Sequence, residues 1–311
     1  MLKGNYLMKS KSIVGNGSFF SVIYYILLAF CFLLSVSCSS APKRPAAIYT
    51  DRNTANNLLD QAIRAGNQSR YEDALVILED ARLLAVSTDD PQLLIKTSIS
   101  RGNFLFSLGS HDEAFGEWND AVTEAERSGE SNLACLARIY IARGNLMRLI
   151  NSGSKNGITE IRDQAAVLVS SVKSEPLVQA AGYSVIGLAE KELGRYADAE
   201  KSVRQALDIH AKSLYLEDAA YDWYIIASIF SVAGRYDDAL KALDTAIEYD
   251  RRAENSFGLA SSWMARGDVC QKAGSSAESA SAYKRAAGIL RAMGLEDAAA
   301  NAEAKIKIAG F

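Results

Sequence analysis

The sequence predicts an all-α array of stacked helix pairs, on three observations. The phrase Gly194-Arg195-Tyr196-Ala197-Asp198-Ala199 returns 40 residues later as Gly234-Arg235-Tyr236-Asp237-Asp238-Ala239, and a fixed period in this range marks supersecondary units that stack on one another. Only four prolines occur in 311 residues: Pro42, Pro45, Pro91 and Pro176. Alanine, leucine, glutamate, lysine and arginine are abundant, which favours helix, and almost no stretch alternates apolar and polar residues with the period of a strand.

The first element is an address. Residues 1–18 are short, polar and basic, and Phe19 to Val36 is an apolar run that ends at Ser37, Cys38, Ser39 and Ser40. A basic region, an apolar region and small residues before a cut site describe a secretory signal, here residues 1–37. The end of the run, LLSVSC, resembles a bacterial lipobox, with Leu34 one place early and Ser35 where leucine usually stands. That resemblance implies cleavage before Cys38 and acylation of its thiol and freed amine; two or more acyl chains anchor stably. A plain transmembrane anchor is the other reading of about 18 apolar residues. Under both, the basic residues stay cytoplasmic and everything after Cys38 faces outward. Residues 38–53 then carry the lipidated cysteine and a tether, Ser39 to Arg52, which is small, proline-bearing and without period.

The repeats occupy residues 54–292. Upstream copies of the phrase are Gly109-Ser110-His111-Asp112-Glu113-Ala114 and Arg70-Tyr71-Glu72-Asp73-Ala74, and a weaker downstream copy is Gly274-Ser275-Ser276. Each glycine falls where a first helix ends and tolerates the left-handed conformation of a helix stop. Acidic residues follow at once, as suits the start of a second helix. Asp89 or Asp90 before Pro91, and Ser174 before Pro176, read as caps with early-turn prolines. Seven residues before each turn glycine lies a small residue, Gly102, Gly187, Ala227 or Gly267, with Ala62 and Gly144 in the less regular units. Mid-helix glycine costs about 1 kcal/mol relative to alanine, so its recurrence predicts close approach of the first helix to Ala74, Ala114, Ala199 or Ala239 of the second. Ala81, Ala121, Ala206, Ala246 and Ala286 then let the next unit dock. Residues 137–172 keep a first helix but have a long turn, Asn151 to Gly157, and an indistinct second helix. Residues 293–311 are read as a C-terminal cap, with the helix itself at Glu296 to Ile308, which a solenoid needs to cover its last apolar face.

A small residue in mid helix A, a glycine then an aromatic at the turn, alanines on helix B, and Trp223 and Trp263 near the start of helix A resemble the tetratricopeptide repeat family. The resemblance implies a right-handed α-α superhelix of about six helix pairs plus a C-terminal capping helix. The period of 40 to 43 residues exceeds the family's usual length of about 34, so longer helices are expected. Carrying the family's inward positions across gives a partner-binding concave face of Lys96, Ile99, Asn103 and Phe106, then Arg138, Ile141, Asn145 and Arg148, then Tyr221, Tyr224 and Ser228, then Met264, Asp268 and Gln271. Asn103 and Asn145 share the tripeptide Arg-Gly-Asn; each either holds the main chain of an extended peptide or makes a helix contact. Ile99, Ala142, Ala181 and Val185 stand where the family's carboxylate clamp has polar side chains, so that clamp is absent.

Nothing in the sequence has the form of a catalytic or metal centre. His111 and His210 are the only histidines and lack a neighbouring cysteine or second histidine for metal. Neither GxSxG, a phosphate loop nor a dinucleotide glycine pattern occurs. No enzyme activity, cofactor or metal is expected. Cys135 and Cys270 fall in distant repeats and read as buried small fillers. The net charge of -3 becomes -6 once the first 37 residues, with Lys3, Lys9 and Lys11 and no acid, are set aside; this gives no footprint for nucleic acid. The expected partners are envelope or periplasmic proteins, with the membrane reached through the N-terminal lipid and self-association into a homo-oligomer open. The expected role is a periplasmic scaffold in envelope assembly. The alternative is a transport accessory that pairs with a solute-binding protein and holds a small apolar ligand among Phe106, Ile141, Tyr224 and Met264.

Overall fold

Thirteen helices follow one another in the computed structural model, which describes residues 49–308, and no strand occurs among these residues. They form six pairs and a last single helix: α1 (Thr50–Asn67) with α2 (Tyr71–Ser87), α3 (Pro91–Ser107) with α4 (His111–Ser128), α5 (Ser131–Ser152) with α6 (Ile158–Ser171), α7 (Pro176–Glu192) with α8 (Tyr196–Lys212), α9 (Leu216–Val232) with α10 (Tyr236–Ala253), α11 (Ser256–Lys272) with α12 (Ser276–Ala292), and α13 (Glu296–Ile308). The apolar run Phe19–Val36 and Cys38 lie outside the described residues. Helix α1 begins at Thr50, inside the stretch read as tether.

The turn glycines act as their spacing predicts. Gly109, Gly194, Gly234 and Gly274 have φ of +85°, +77°, +76° and +81°. The next residue's N–H then closes each helix on a carbonyl five back, as in Ser110 to Leu105 and Arg195 to Glu190, both at 2.9 Å. Between units the left-handed position belongs to Asp89, Gly129, Ser174, Leu214, Glu254 or Gly294. Asp90, extended before Pro91, accepts the Leu93 N–H at 3.2 Å and is a true cap. Ser174 is not: the residue before Pro176 is Glu175, which makes no side-chain cap, while Ser174 turns the chain at φ +60°.

The small residues of helix A sit under large side chains of helix B. A methyl on Gly102 would overlap Trp118 and crowd the Ala114 carbonyl at 3.0 Å, and one on Gly267 would overlap the Tyr283 ring. A methyl on Gly187 would overlap Val203 and crowd the Ala199 carbonyl at 3.1 Å. The bulky partner thus stands four residues, one turn, after the expected alanine at Gly102 and Gly187, and after Ser279 at Gly267. Gly144 is the exception, because its neighbours are Phe115 and Trp118 of the preceding unit's α4.

Consecutive A helices touch one another, α3 with α5, α5 with α7 and α9 with α11, whereas α1 also reaches α11. The A helices therefore form the inner, concave layer of a superhelix that curls far enough for its first helix to meet its eleventh. The apolar interior is divided into successive clusters, the largest running from α5 to α11, as in arrays where each unit contacts mainly its neighbours. At the end, Ala299 and Ala302 of α13 cover Ala286, Ala287 and Leu290 of α12.

Candidate partner-binding site

The third pair departs from the rest, and two features follow from it. α5 and α6 meet far less than the partners of the other pairs, while α6 packs closely on α7. A groove of about 880 Å³ opens between them, with Ile141, Ala142, Val167 and Leu168 as its apolar part and Arg138, Asn145, Glu160, Asp163 and Gln164 as its polar part. Val167 is 66% exposed, an unusual position for a valine in mid helix. Of the residues expected on the concave face, the structure brings Arg138, Ile141 and Asn145 together here.

The second feature lies across the lumen. The guanidinium of Arg143 on α5 stands 5.0 Å from the ring centroid of Tyr221 on α9. These helices belong to the third and fifth units with α7 between them in sequence, so the contact spans the concave side. Tyr221 stacks on Tyr224, centroids 6.3 Å apart at 12°. Tyr140, one turn before Arg143, stacks on Trp118 at 6.1 Å and 20°. Desolvation by the surrounding protein raises the carboxyl pKa of Asp218, one turn before Tyr221, against the opposing charges of His210 and Arg143. Glu217 is likewise raised by burial, with Asn67 of α1 beside it. Sequence reasoning missed Arg143 and Asp218; the spacings Tyr140–Arg143 and Asp218–Tyr221 place each pair on one helix face.

Two neighbouring joints between units carry buried ionisable groups at equivalent positions. His210 Nδ1 on α8 lies 2.7 Å from Asp222 Oδ2 on α9, and the Ser184 hydroxyl donates to Asp222 Oδ1 at 2.8 Å. Burial alone would lower the His210 pKa, but the Asp222 hydrogen bond and the charges of Asp218 and Asp222 prevail and raise it. The carboxylate stands between serine and imidazole, so the histidine does not face the hydroxyl and cannot act as its base. Forty residues on, Asp250 accepts from Asn255 at 2.8 Å and from Ser262 at 3.4 Å. Burial pushes Asp250 up to about 7 against those two hydrogen bonds. A further forty residues on, the same joint is Leu290 and Ala302, wholly apolar.

The other expected residues take local partners. Asn103 accepts from the Trp118 indole at 3.2 Å, a helix contact. Phe106 sits against His111, Phe115 and Trp118. Arg138 pairs with Glu126, and Arg148 pairs with Asp112 at 2.9 Å while lying over Phe115. Lys96 is exposed beside Arg52, Asn56 and Asp90. Met264 packs against the cluster of Ala260, Ala286, Ala287 and Leu290, and Asp268 accepts from Tyr283 at 2.7 Å and Lys305 at 2.6 Å. Phe106 and Ile141 join one apolar cluster, whereas Tyr224 enters a second and Met264 a third. Cys270 is buried and Cys135 half-buried, with its Sγ 3.5 Å from Ser171 Oγ.

Residues 180–212, most of α7 and all of α8, match the family model described as tetratricopeptide repeat. Among curated proteins no sequence matches. Among solved structures, the Rap protein complexed with Competence and Sporulation Factor is 14% identical, with 82% of this chain and 74% of that chain covered and a TM-score of 0.53. PlcR of Bacillus thuringiensis, in complex with the peptide PapR7 and DNA, is 16% identical over 82% and 76%, TM-score 0.47. PilW, a type IV pilus biogenesis factor, is 16% identical over 76% and 92%, TM-score 0.44. At such identities the likeness is one of fold. With a tetratricopeptide match at one unit and the same helix-pair geometry across the rest, the described chain is a tetratricopeptide-like solenoid of six helix pairs closed by a capping helix.

Proposed function

We propose that this protein is an exported, lipid-anchored scaffold that holds partner proteins on the periplasmic side of a bacterial membrane during envelope assembly. The observation that carries the binding role is the groove between α5 and α6. It joins an exposed Val167 and a half-buried Ile141 to charged and amide side chains on both walls, the mix of apolar centre and polar rim that protein interfaces use. A surface of this kind is a loss for a free solenoid unless something covers it. The Rap protein of like fold, solved complexed with Competence and Sporulation Factor, supports a binding role for such an array. Export and anchoring rest on the basic start, the apolar run and Cys38 of the sequence.

The test is chemical crosslinking and capture from detergent extracts of the native envelope. The chain should recover a stoichiometric envelope protein, and Val167→Glu should abolish recovery while leaving the melting temperature unchanged. Equal recovery by the variant would move binding away from the groove, and a clean monomer after crosslinking would remove the scaffold reading. The anchor is tested separately: Cys38→Ala should abolish acyl labelling and leave an unprocessed precursor, and normal labelling in that variant would remove lipidation while leaving export in place.

A further inference from the structure

We infer that two consecutive joints of the superhelix, α8–α9 and α10–α11, form a proton-operated hinge. With their protons the joints hold the array curled so that α1 meets α11; without them they loosen and release that contact. The hinge stands without the α5–α6 groove and without the anchor.

The repeat frame sets these joints apart. Where one unit packs on the next, a buried side chain near the end of helix B recurs with a second one twelve residues on, in the following helix. At three joints the pairs are Ala85 and Thr97, Ala125 and Ala137, and Leu290 and Ala302, all buried and uncharged. The fold therefore needs no charge at this position. The same positions hold His210 and Asp222 at α8–α9, and Asp250 and Ser262 at α10–α11. Buried ionisable groups cost more than an apolar pair and hold a joint only while their charge is balanced. The α8–α9 turn is also strained, because Leu214 takes φ +60° with its side chain 76% exposed. A bulky residue keeps that left-handed conformation only while the packing around it is firm.

One proton per joint sets the balance. As an imidazolium, His210 donates from Nδ1 to Asp222 Oδ2 at 2.7 Å, and the Ser184 hydroxyl of α7 donates to Oδ1 at 2.8 Å. The charges facing His210 are Asp222 and Asp218, both from α9; Asp218 in turn feels Arg143 of α5. Loss of the imidazole proton leaves Asp222 a buried carboxylate with neutral donors only. Protonated Asp250 is neutral; ionised, it has just Asn255 at 2.8 Å and Ser262 at 3.4 Å, against the like charge of Glu217 from α9. Burial raises Asp250 to about 7. Against a burial that would lower it, the Asp222 hydrogen bond and the two carboxylate charges hold His210 above its ordinary 6.5. Each group binds its proton more tightly in the folded joint. Both joints are therefore firm in acid and weaken as pH rises, through about 7 at α10–α11 and above 6.5 at α8–α9.

The place of the joints gives the titration its reach. They carry the fifth and sixth units, and α11 of the sixth meets α1 of the first. A rotation at either joint moves everything after it and so bears on that contact.

The test is amide exchange of the full chain in detergent at about pH 6 and pH 8, corrected for the intrinsic pH dependence of exchange. Exchange in α8 to α11 is expected to rise by about tenfold or more, the equivalent of one unit of pKa shift. Helix α1, whose own joint is uncharged, should follow α11, while α3 and α4 keep their protection. Asp250→Asn should remove the rise in α10 and α11 and leave it in α8 and α9. His210→Leu with Asp222→Ala copies the apolar pair of the last joint and should do the converse. All three changes together should leave α1 indifferent to pH. No rise in the parent chain, an equal rise in every helix, or a response retained by the triple variant overturns the inference. A rise in α8 to α11 that leaves α1 protected also overturns it, because the joints would then not govern closure. Asp250→Asn keeps the shape of the side chain, so its partial loss of response decides the matter even if the other variants fail to fold.

Discussion

Asp250 shows how far one side chain can depart from its sequence reading. Nothing around it in the sequence separates it from the other acids on helix B, yet its place at the joint with Ser262 leaves it 2% exposed. Desolvation raises its pKa to about 7, beyond what Asn255 and Ser262 recover. A carboxyl whose folded pKa is raised binds its proton more tightly when folded, so this group's stability contribution is greatest below about pH 4 and is lost as pH climbs to about 7. Asp250→Asn keeps the shape and removes the ionisation. Urea denaturation at pH 8 should find the variant more stable by roughly 1–3 kcal/mol, with the difference shrinking at pH 5. A difference independent of pH would mean that the carboxylate is not the source. Arg143 and Asp218 were equally invisible for another reason: their proximity depends on how sharply the units curl, which no local pattern encodes.

At the scale of the helix the sequence was far more legible. Each unit faces the same backbone problem at the same place, so turn glycines and mid-helix glycines recur in one frame, and the structure uses them for the left-handed stop and the close crossing. The frame misleads only where a unit is irregular. Gly144 fits the glycine pattern but meets α4 rather than α6, because α6 stands off from α5 and opens the groove. The mechanism predicts opposite signs for two chemically identical changes. Gly187→Ala puts a methyl against Val203 and 3.1 Å from the Ala199 carbonyl, a backbone atom with no freedom to move aside. It should lower stability by about 1–3 kcal/mol despite alanine's better helix propensity. Gly288→Ala lies on the exposed side of α12, with nothing within 4 Å of the added carbon, and should raise stability by up to about 1 kcal/mol. Thermal melts of both variants check the pair; two stabilising changes would show that the A–B crossing is not tight.

At the scale of the whole array, the sequence revealed a solenoid but not its closure, since the period fixes what repeats and says little about rotation per unit. Contact of α1 with α11 and of Arg143 with Tyr221 adds long-range links to a chain of nearest-neighbour interfaces. Against that background α13 has a defined task. Its Ala299 and Ala302 cover the outer side of α12, Lys305 holds Asp268 of α11 at 2.6 Å, and Glu303 holds Arg291 of α12 at 2.7 Å. In a one-dimensional array the loss of a terminal cap weakens the adjacent unit first and distant units little. Deleting residues 295–311 should therefore speed amide exchange in α11 and α12 by about ten- to a hundredfold, roughly 1.4–2.8 kcal/mol of local stability, while α3 to α8 keep their protection. A uniform loss through all helices would show instead that the links across the lumen bind the units into one cooperative body, with unfolding at the cap felt as far as α1. Unchanged exchange in α11 and α12 would deny α13 a capping role altogether.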